Sequence, residues 1–118
     1  MLTIVTSVAC YWHQGFNVTY VNNTDEALCV SEFPDGASQR RSSYCDDIQA
    51  HDEVTYSHGY CDRPEELRWV RLLAGPEGER IYETLATCEK WQELDAVISV
   101  TLIDGRYVVK QTPPDVAD

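Results

Sequence analysis

Residues 62–94 read DRPEELRWVRLLAGPEGERIYETLATCEKWQEL, and the period assigned to this stretch decides the fold class. Its opening, Asp62-Arg63-Pro64-Glu65-Glu66, has the composition of a helix start. Asp62 can cap, proline is tolerated in the first turn, and glutamates suit the positive helix end. Leu67, Val70 and Leu73 then share a stripe at helical spacing, flanked by Trp69 and Leu72. Gly75-Pro76 breaks the run. A second helix is expected from about Glu77 to Leu94, where Ile81, Leu85, Cys88 and Trp91 fall on one face.

Upstream of this stretch the period is two. Leu2, Ile4, Val8, Cys10 and Trp12 share a face, which is the mark of a half-buried strand. Gln14-Gly15 signals a turn, and Phe16, Val18 and Tyr20 resume the alternation, so the pair reads as a hairpin. Asn22-Asn23-Thr24-Asp25 is the next turn. Ala27 to Phe33 is a third strand, which completes a meander. Pro34 to Ser43 has loop composition, Tyr44 to Asp52 is ambiguous, and Glu53 to Tyr60 reads as a fourth strand or an extended arm.

Downstream, Val97 to Ile103 and Arg106 to Lys110 flank Asp104-Gly105, a strong two-residue hairpin signal. The predicted order is β-β-β-(β)-α-α-β-β. That is an α+β fold: an antiparallel sheet, made of the N-terminal meander plus the C-terminal hairpin, with two helices packed on one face. The 118 residues suit one domain over 1–111, with a flexible tail over 112–118.

Charge is the most distinctive property. Twenty acids against nine bases give a formal charge of −11 and a pI near 4.5. No charged residue occurs before Asn22. Between residues 22 and 66 lie Asp25, Glu26, Glu32, Asp35, Asp46, Asp47, Asp52, Glu53, Asp62, Glu65 and Glu66, against Arg40, Arg41 and Arg63 alone. Such a chain repels nucleic acid and anionic membrane, so neither is a direct partner. Its complement is a basic protein surface, and salt weakens attraction of that kind.

The expected partner site is the acidic middle of the chain, Asp46, Asp47, Asp52, Glu53, Glu65 and Glu66, together with Tyr44, Tyr56 and Tyr60. Aromatic anchors ringed by charge have the composition of a protein-binding surface. The plainer account is that the tyrosines pack beneath a solvated acidic face. An array of carboxylates resembles the phosphates of a nucleic acid electrostatically. The function expected is therefore that of an acidic inhibitor of a nucleic-acid-handling protein or complex. In size and charge alone the chain is similar to small acidic anti-defence proteins of phages and mobile elements, anti-CRISPR proteins among them. An immunity protein that neutralises a basic nuclease toxin is the near alternative.

An alternative of another class rests on cysteine and histidine. Cys10-x-x-His13 is mirrored by His58-x-x-Cys61, and two Cys with two His could close a tetrahedral zinc site. Residues three apart on a straight strand point to opposite faces, which counts against it. Cys45 or Cys61 could serve a thiol hydrolase, with His51 or His58 as base, though no family-specific pattern surrounds either. The reading without catalysis, metal or cofactor is preferred. Five cysteines, an odd number with no secretory signal, suggest reduced thiols and a cytoplasmic location. Two Asn-x-Thr sequons, at Asn17 and Asn22, would matter only in a secretory pathway.

Overall fold

The computed structural model describes residues 15–33, 45–59, 61, 63–75, 78–92 and 95–112. The strand expected over residues 2–12, its hairpin turn at Gln14, and the loop from Pro34 to Ser43 lie outside these residues. The described chain forms eight strands and one short helix: β1 (Phe16–Asn23), β2 (Leu28–Phe33), β3 (Asp46–Ile48), β4 (Glu53–His58), β5 (Leu67–Ala74), β6 (Glu79–Thr87), α1 (Cys88–Gln92), β7 (Ala96–Ile103) and β8 (Arg106–Thr112). One four-stranded sheet has the order β4-β1-β7-β8 and the other β3-β2-β5-β6. All pairings are antiparallel except β1 with β7, which is parallel.

The α+β expectation is therefore wrong: among the described residues no helix reaches seven residues, and two sheets replace a sheet covered by helices. The error lies in residues 62–94. Leu67, Val70 and Leu73 obey helical spacing, but Val70, Leu72 and Ala74 obey period two, and these three are the buried ones. As a central strand, β5 bonds to β2 on one side and β6 on the other. That satisfies its backbone as fully as a helix would. Gly75 and Gly78 take φ of +80° and +68° at the β5–β6 connection, a left-handed geometry that suits glycine. Pro64 sits inside a turn closed by Glu66 N to Arg63 O at 2.9 Å, not at a helix start. Proline's fixed φ fits either place.

Only the end of the second expected helix survives, as α1. There Cys88 and Trp91 are buried as the helical spacing required. Thr87 caps it through Lys90 N at 3.2 Å. Cys88 N and Glu89 N bond to the carbonyls of Glu66 and Pro64.

The N-terminal meander is also corrected. The turn after β1 does not fold the chain back into a hairpin, because β1 and β2 belong to different sheets. By contrast, the Asp104-Gly105 hairpin forms as expected. Ile103 pairs with Arg106, and both turn residues have positive φ, 53° and 78°. Thr112, assigned to the tail, ends β8, and residues 113–118 lie outside those described.

One core joins the two sheets. Phe16, Val18, Tyr20, Ile98 and Val100 from the first meet Leu28, Val30, Val70, Leu72 and Ala86 from the second, with Trp91 of α1 among them. Two polar links cross the same space: Tyr20 donates from its hydroxyl to Glu32, and Tyr82 to Gln111.

Four of the five cysteines form two disulfides. Cys29–Cys45 joins β2 to the start of β3 with Cα atoms 5.5 Å apart, and Cys61–Cys88 joins the segment after β4 to α1 at 6.0 Å. Both separations are ordinary for a disulfide. They overturn the expectation of reduced thiols.

Candidate functional site

Asn22 lies one residue from the end of β1, facing inward and fully buried. Its Nδ2 donates to the carbonyls of Glu26 at 2.8 Å, Ile48 at 3.0 Å and Gln49 at 3.1 Å. Its Oδ1 accepts from Thr24 N at 2.9 Å and Thr24 Oγ1 at 2.7 Å, and its backbone N donates to Asp52 O at 2.9 Å. Asparagine and threonine organise turns in this way, standing in for backbone groups. The result is one unit. The turn after β1 and the turn between β3 and β4 are fastened to the same buried side chain.

Those turns carry acids. Asp25 and Glu26 are exposed on the first, Asp52 and Glu53 on the second, and Asp46 and Asp47 on the adjoining strand β3. Val21 pairs with Glu53, Cys29 with Asp47 and Val30 with Asp46, and Asn22 ties the two turns together. The backbones bearing these six acids therefore lie toward one end of the described strands, with Asp46 and Asp47 on opposite faces of β3. Tyr107 feels this end. Its hydroxyl pKa is raised first by desolvation and then by the charges of Glu26 and Glu79, so Glu79 belongs to the same region.

Neutralising partners are few. His51 Nε2 lies 2.6 Å from Asp25 Oδ1, with both side chains largely in solvent. Among the described residues no lysine or arginine forms an ion pair with Asp25, Glu26, Asp47, Asp52 or Glu53. Of the described arginine pairs, Arg63 with Glu65 at 3.7 Å lies away from this end, while Arg80, next to Glu79 at the start of β6, pairs with Glu83 at 2.7 Å.

The expected partner site thus divides. Asp46, Asp47, Asp52 and Glu53 come together, joined by Asp25 and Glu26. Glu65 and Glu66 stand at the other end, before the start of β5. The opposite end of β5, Ala74, pairs with Leu28, which in turn pairs with Ile48. The length of β5 puts about 25 Å between the two groups. Tyr56 is half-buried rather than an exposed anchor. Its ring packs edge-on to Tyr20 with centroids 5.7 Å apart, and its hydroxyl donates to Asp46 at 3.1 Å. Tyr44 and Tyr60 lie outside the described residues.

The zinc and thiol alternatives lose their ligands and nucleophiles. Cys45 and Cys61 are both in disulfides, so neither offers a thiolate. Cys10 and His13 lie outside the described residues. His58 faces Glu32 instead, with Nε2 2.9 Å from Oε1. Among the described residues no three His, Cys, Asp or Glu gather where a metal ion could be held.

Sequence reasoning missed two features. Asn22 stood out only as a turn residue and sequon, although Asn22-x-Thr24 at a strand end is the pattern of a side chain closing a turn. Glu32 was counted as one more acid, yet Leu28, Val30 and Glu32 share one face of β2, so Glu32 points inward. There it is held from both sides, by Tyr20 on Oε2 and His58 on Oε1. Burial comes first, and the neighbouring Glu32 second, in raising the Tyr20 pKa well above its ordinary value. A small apolar cleft beside this network is lined by Phe16, Val18, Arg68 and Trp91. Set against known proteins, the chain matches no family model and no curated sequence.

Proposed function

We propose that the chain is a binding protein whose acidic end docks on a basic protein surface of the kind that holds nucleic acid, and blocks it. The observation that carries this reading is the Asn22 unit, which holds two acid-bearing turns in one fixed arrangement. A fixed array has little ordering left to do on binding, and its negative charge steers a basic partner into contact. Crowding like charges at one end costs folding stability, and a binding role accounts for that cost.

The two disulfides favour a protein that works in an oxidising compartment. The partner class this suggests is a basic protein met there, a secreted nuclease among them. Blocking an intracellular complex, as an anti-defence protein does, would require the fold to persist with both disulfides reduced.

The test is displacement of a labelled oligonucleotide from a panel of basic nucleases and nucleic-acid-binding proteins. The chain is expected to displace it from at least one, more weakly as salt rises. The variant Asp46→Asn/Asp47→Asn/Asp52→Asn/Glu53→Gln is expected to lose about tenfold or more in affinity while keeping its fold, the scale expected when several rim charges are removed. A wild-type chain inert against every member at low salt, or a variant that binds undiminished, would sink the reading.

A further inference from the structure

We propose that Asn17 is an N-linked glycosylation site, and that the folded protein carries its glycan there and not at Asn22. Both residues open an Asn-x-Thr sequon, Asn17-Val18-Thr19 and Asn22-Asn23-Thr24, with no proline between. The strand treats them oppositely. Residues of β1 alternate between the core and the outer face, and Asn17 falls outward while Asn22 falls inward. Five positions separate them, so one sequon is always on each side of the sheet.

At Asn17 the side chain is exposed. Only the backbone is engaged there, its N donating to Asp95 Oδ1 at 3.2 Å. Most neighbours on that outer face are polar, Val97, the β7 partner of Thr19, being the apolar exception. Ser57 is the register partner of Asn17 on β4, and Thr19 lies two residues on, its Oγ1 2.9 Å from Thr55 Oγ1. A bulky hydrophilic glycan fits such a surface without displacing a core residue. At Asn22 the amide is fully buried, with three acceptors on Nδ2 and two donors on Oδ1. A sugar on that nitrogen would take one of its two N–H donors, has no room in a fully buried site, and would prise apart the turns these bonds join. A chain modified there could not reach this fold.

The disulfides are the independent second observation. Cys29–Cys45 and Cys61–Cys88 need an oxidising compartment, and a secretory lumen that makes disulfides is also where N-glycans are added. The transfer uses a lipid-diphosphate-linked oligosaccharide as co-reactant. The Asn17 Nδ2 forms a bond to the anomeric carbon of the first N-acetylhexosamine and loses a proton. The bond from that carbon to the diphosphate oxygen breaks, and the lipid diphosphate leaves with the electron pair. Nothing is oxidised or reduced. Asn17 lies about 16 Å along β1 from Asn22, so the attachment point is away from the acidic turns.

The experiment expresses the full chain behind a cleavable secretion leader in a eukaryotic host and analyses the folded, disulfide-bonded product. An amidase that removes N-glycans converts the modified asparagine to aspartate, so peptide mapping locates it without any variant. The expected result is one glycan per chain, at Asn17. It disappears in Asn17→Gln and Thr19→Val and persists in Thr19→Ser, which keeps the sequon. Folded product unmodified at Asn17, product carrying the glycan at Asn22, or failure of the host to release any folded chain would each overturn the proposal.

Discussion

Every polar atom of the Asn22 side chain bonds to the two turns it joins, and none of those bonds can be replaced by water at a position with no exposure. Replacing it with alanine leaves the Ile48 carbonyl buried and short of a donor. Asn22→Ala is expected to destabilise the protein by about 2–4 kcal/mol in urea denaturation, the range for breaking a buried hydrogen-bond network. Tyr20 tests a different residue-scale effect. Its folded pKa is raised, above all by burial, so the native state holds the phenolic proton more tightly than the unfolded chain does. The stabilisation this represents is complete below the ordinary tyrosine value of about 10 and is lost as pH rises beyond it. Tyr20→Phe removes the bond to Glu32 and is expected to cost about 1–2 kcal/mol at neutral pH. The gap between wild type and variant should hold up to about pH 10 and narrow as pH rises above it, since phenylalanine cannot ionise. A gap that stays constant over that rise would show that Tyr20 is not buried as described. The types of these residues were legible in the sequence. Their partners were not, because Glu32 and Tyr20 sit on strands of different sheets.

Among elements, β5 and β6 hold the main lesson. LRWVRLLA supports both periods, since apolar residues at Leu67, Val70, Leu72, Leu73 and Ala74 leave either stripe nearly intact. The strand wins because β2 and β6 offer it hydrogen bonds along both edges, a contribution that lies outside any local window. The segment ERIYETLAT carries its own hint in Ile81, Thr84, Thr87 and Tyr82, all of β-favouring type. A far-UV circular dichroism spectrum should be of β type, without the double minimum of helix. The disulfides act at this scale too. They close loops with separations of 16 and 27 residues, and chain-entropy arguments assign roughly 3–4 kcal/mol to each. Labelling the denatured, unreduced protein with a thiol reagent should find no more than one reactive thiol per chain, because four of five cysteines are paired. Reduction should lower the melting temperature substantially. Four or five reactive thiols before reduction would remove the basis for an oxidising compartment.

For the molecule as a whole, the acids among the described residues are unevenly placed, although Glu89 and Asp95 lie away from the crowded end. Asp25, Glu26, Asp46, Asp47, Asp52 and Glu53 crowd one end, while Glu65 and Glu66 stand at the other. Repulsion at the crowded end is screened by salt, with a Debye length of about 8 Å at physiological ionic strength. Thermal stability should therefore rise as sodium chloride is added from low concentration to about that level. The variant Asp46→Asn/Asp47→Asn/Asp52→Asn/Glu53→Gln should start higher and respond less. Equal salt responses in the two proteins would show that these acids do not form a common field. Asp46→Asn keeps an acceptor for Tyr56.

The sequence alone determined the net charge and its concentration in the middle of the chain. It also determined the described strands around Phe16–Tyr20, Leu28–Phe33, Glu53–His58 and Val97–Ile103, and the Asp104-Gly105 hairpin. These follow from residue type and from contacts between near neighbours. Only the tertiary structure decided that 67–87 is a hairpin of strands, that β1 lies parallel to β7, which cysteines pair, and that one sequon is buried and the other exposed. Each of those depends on groups far apart in the chain. Their hydrogen bonds and burial exist only once two sheets have closed over a shared core.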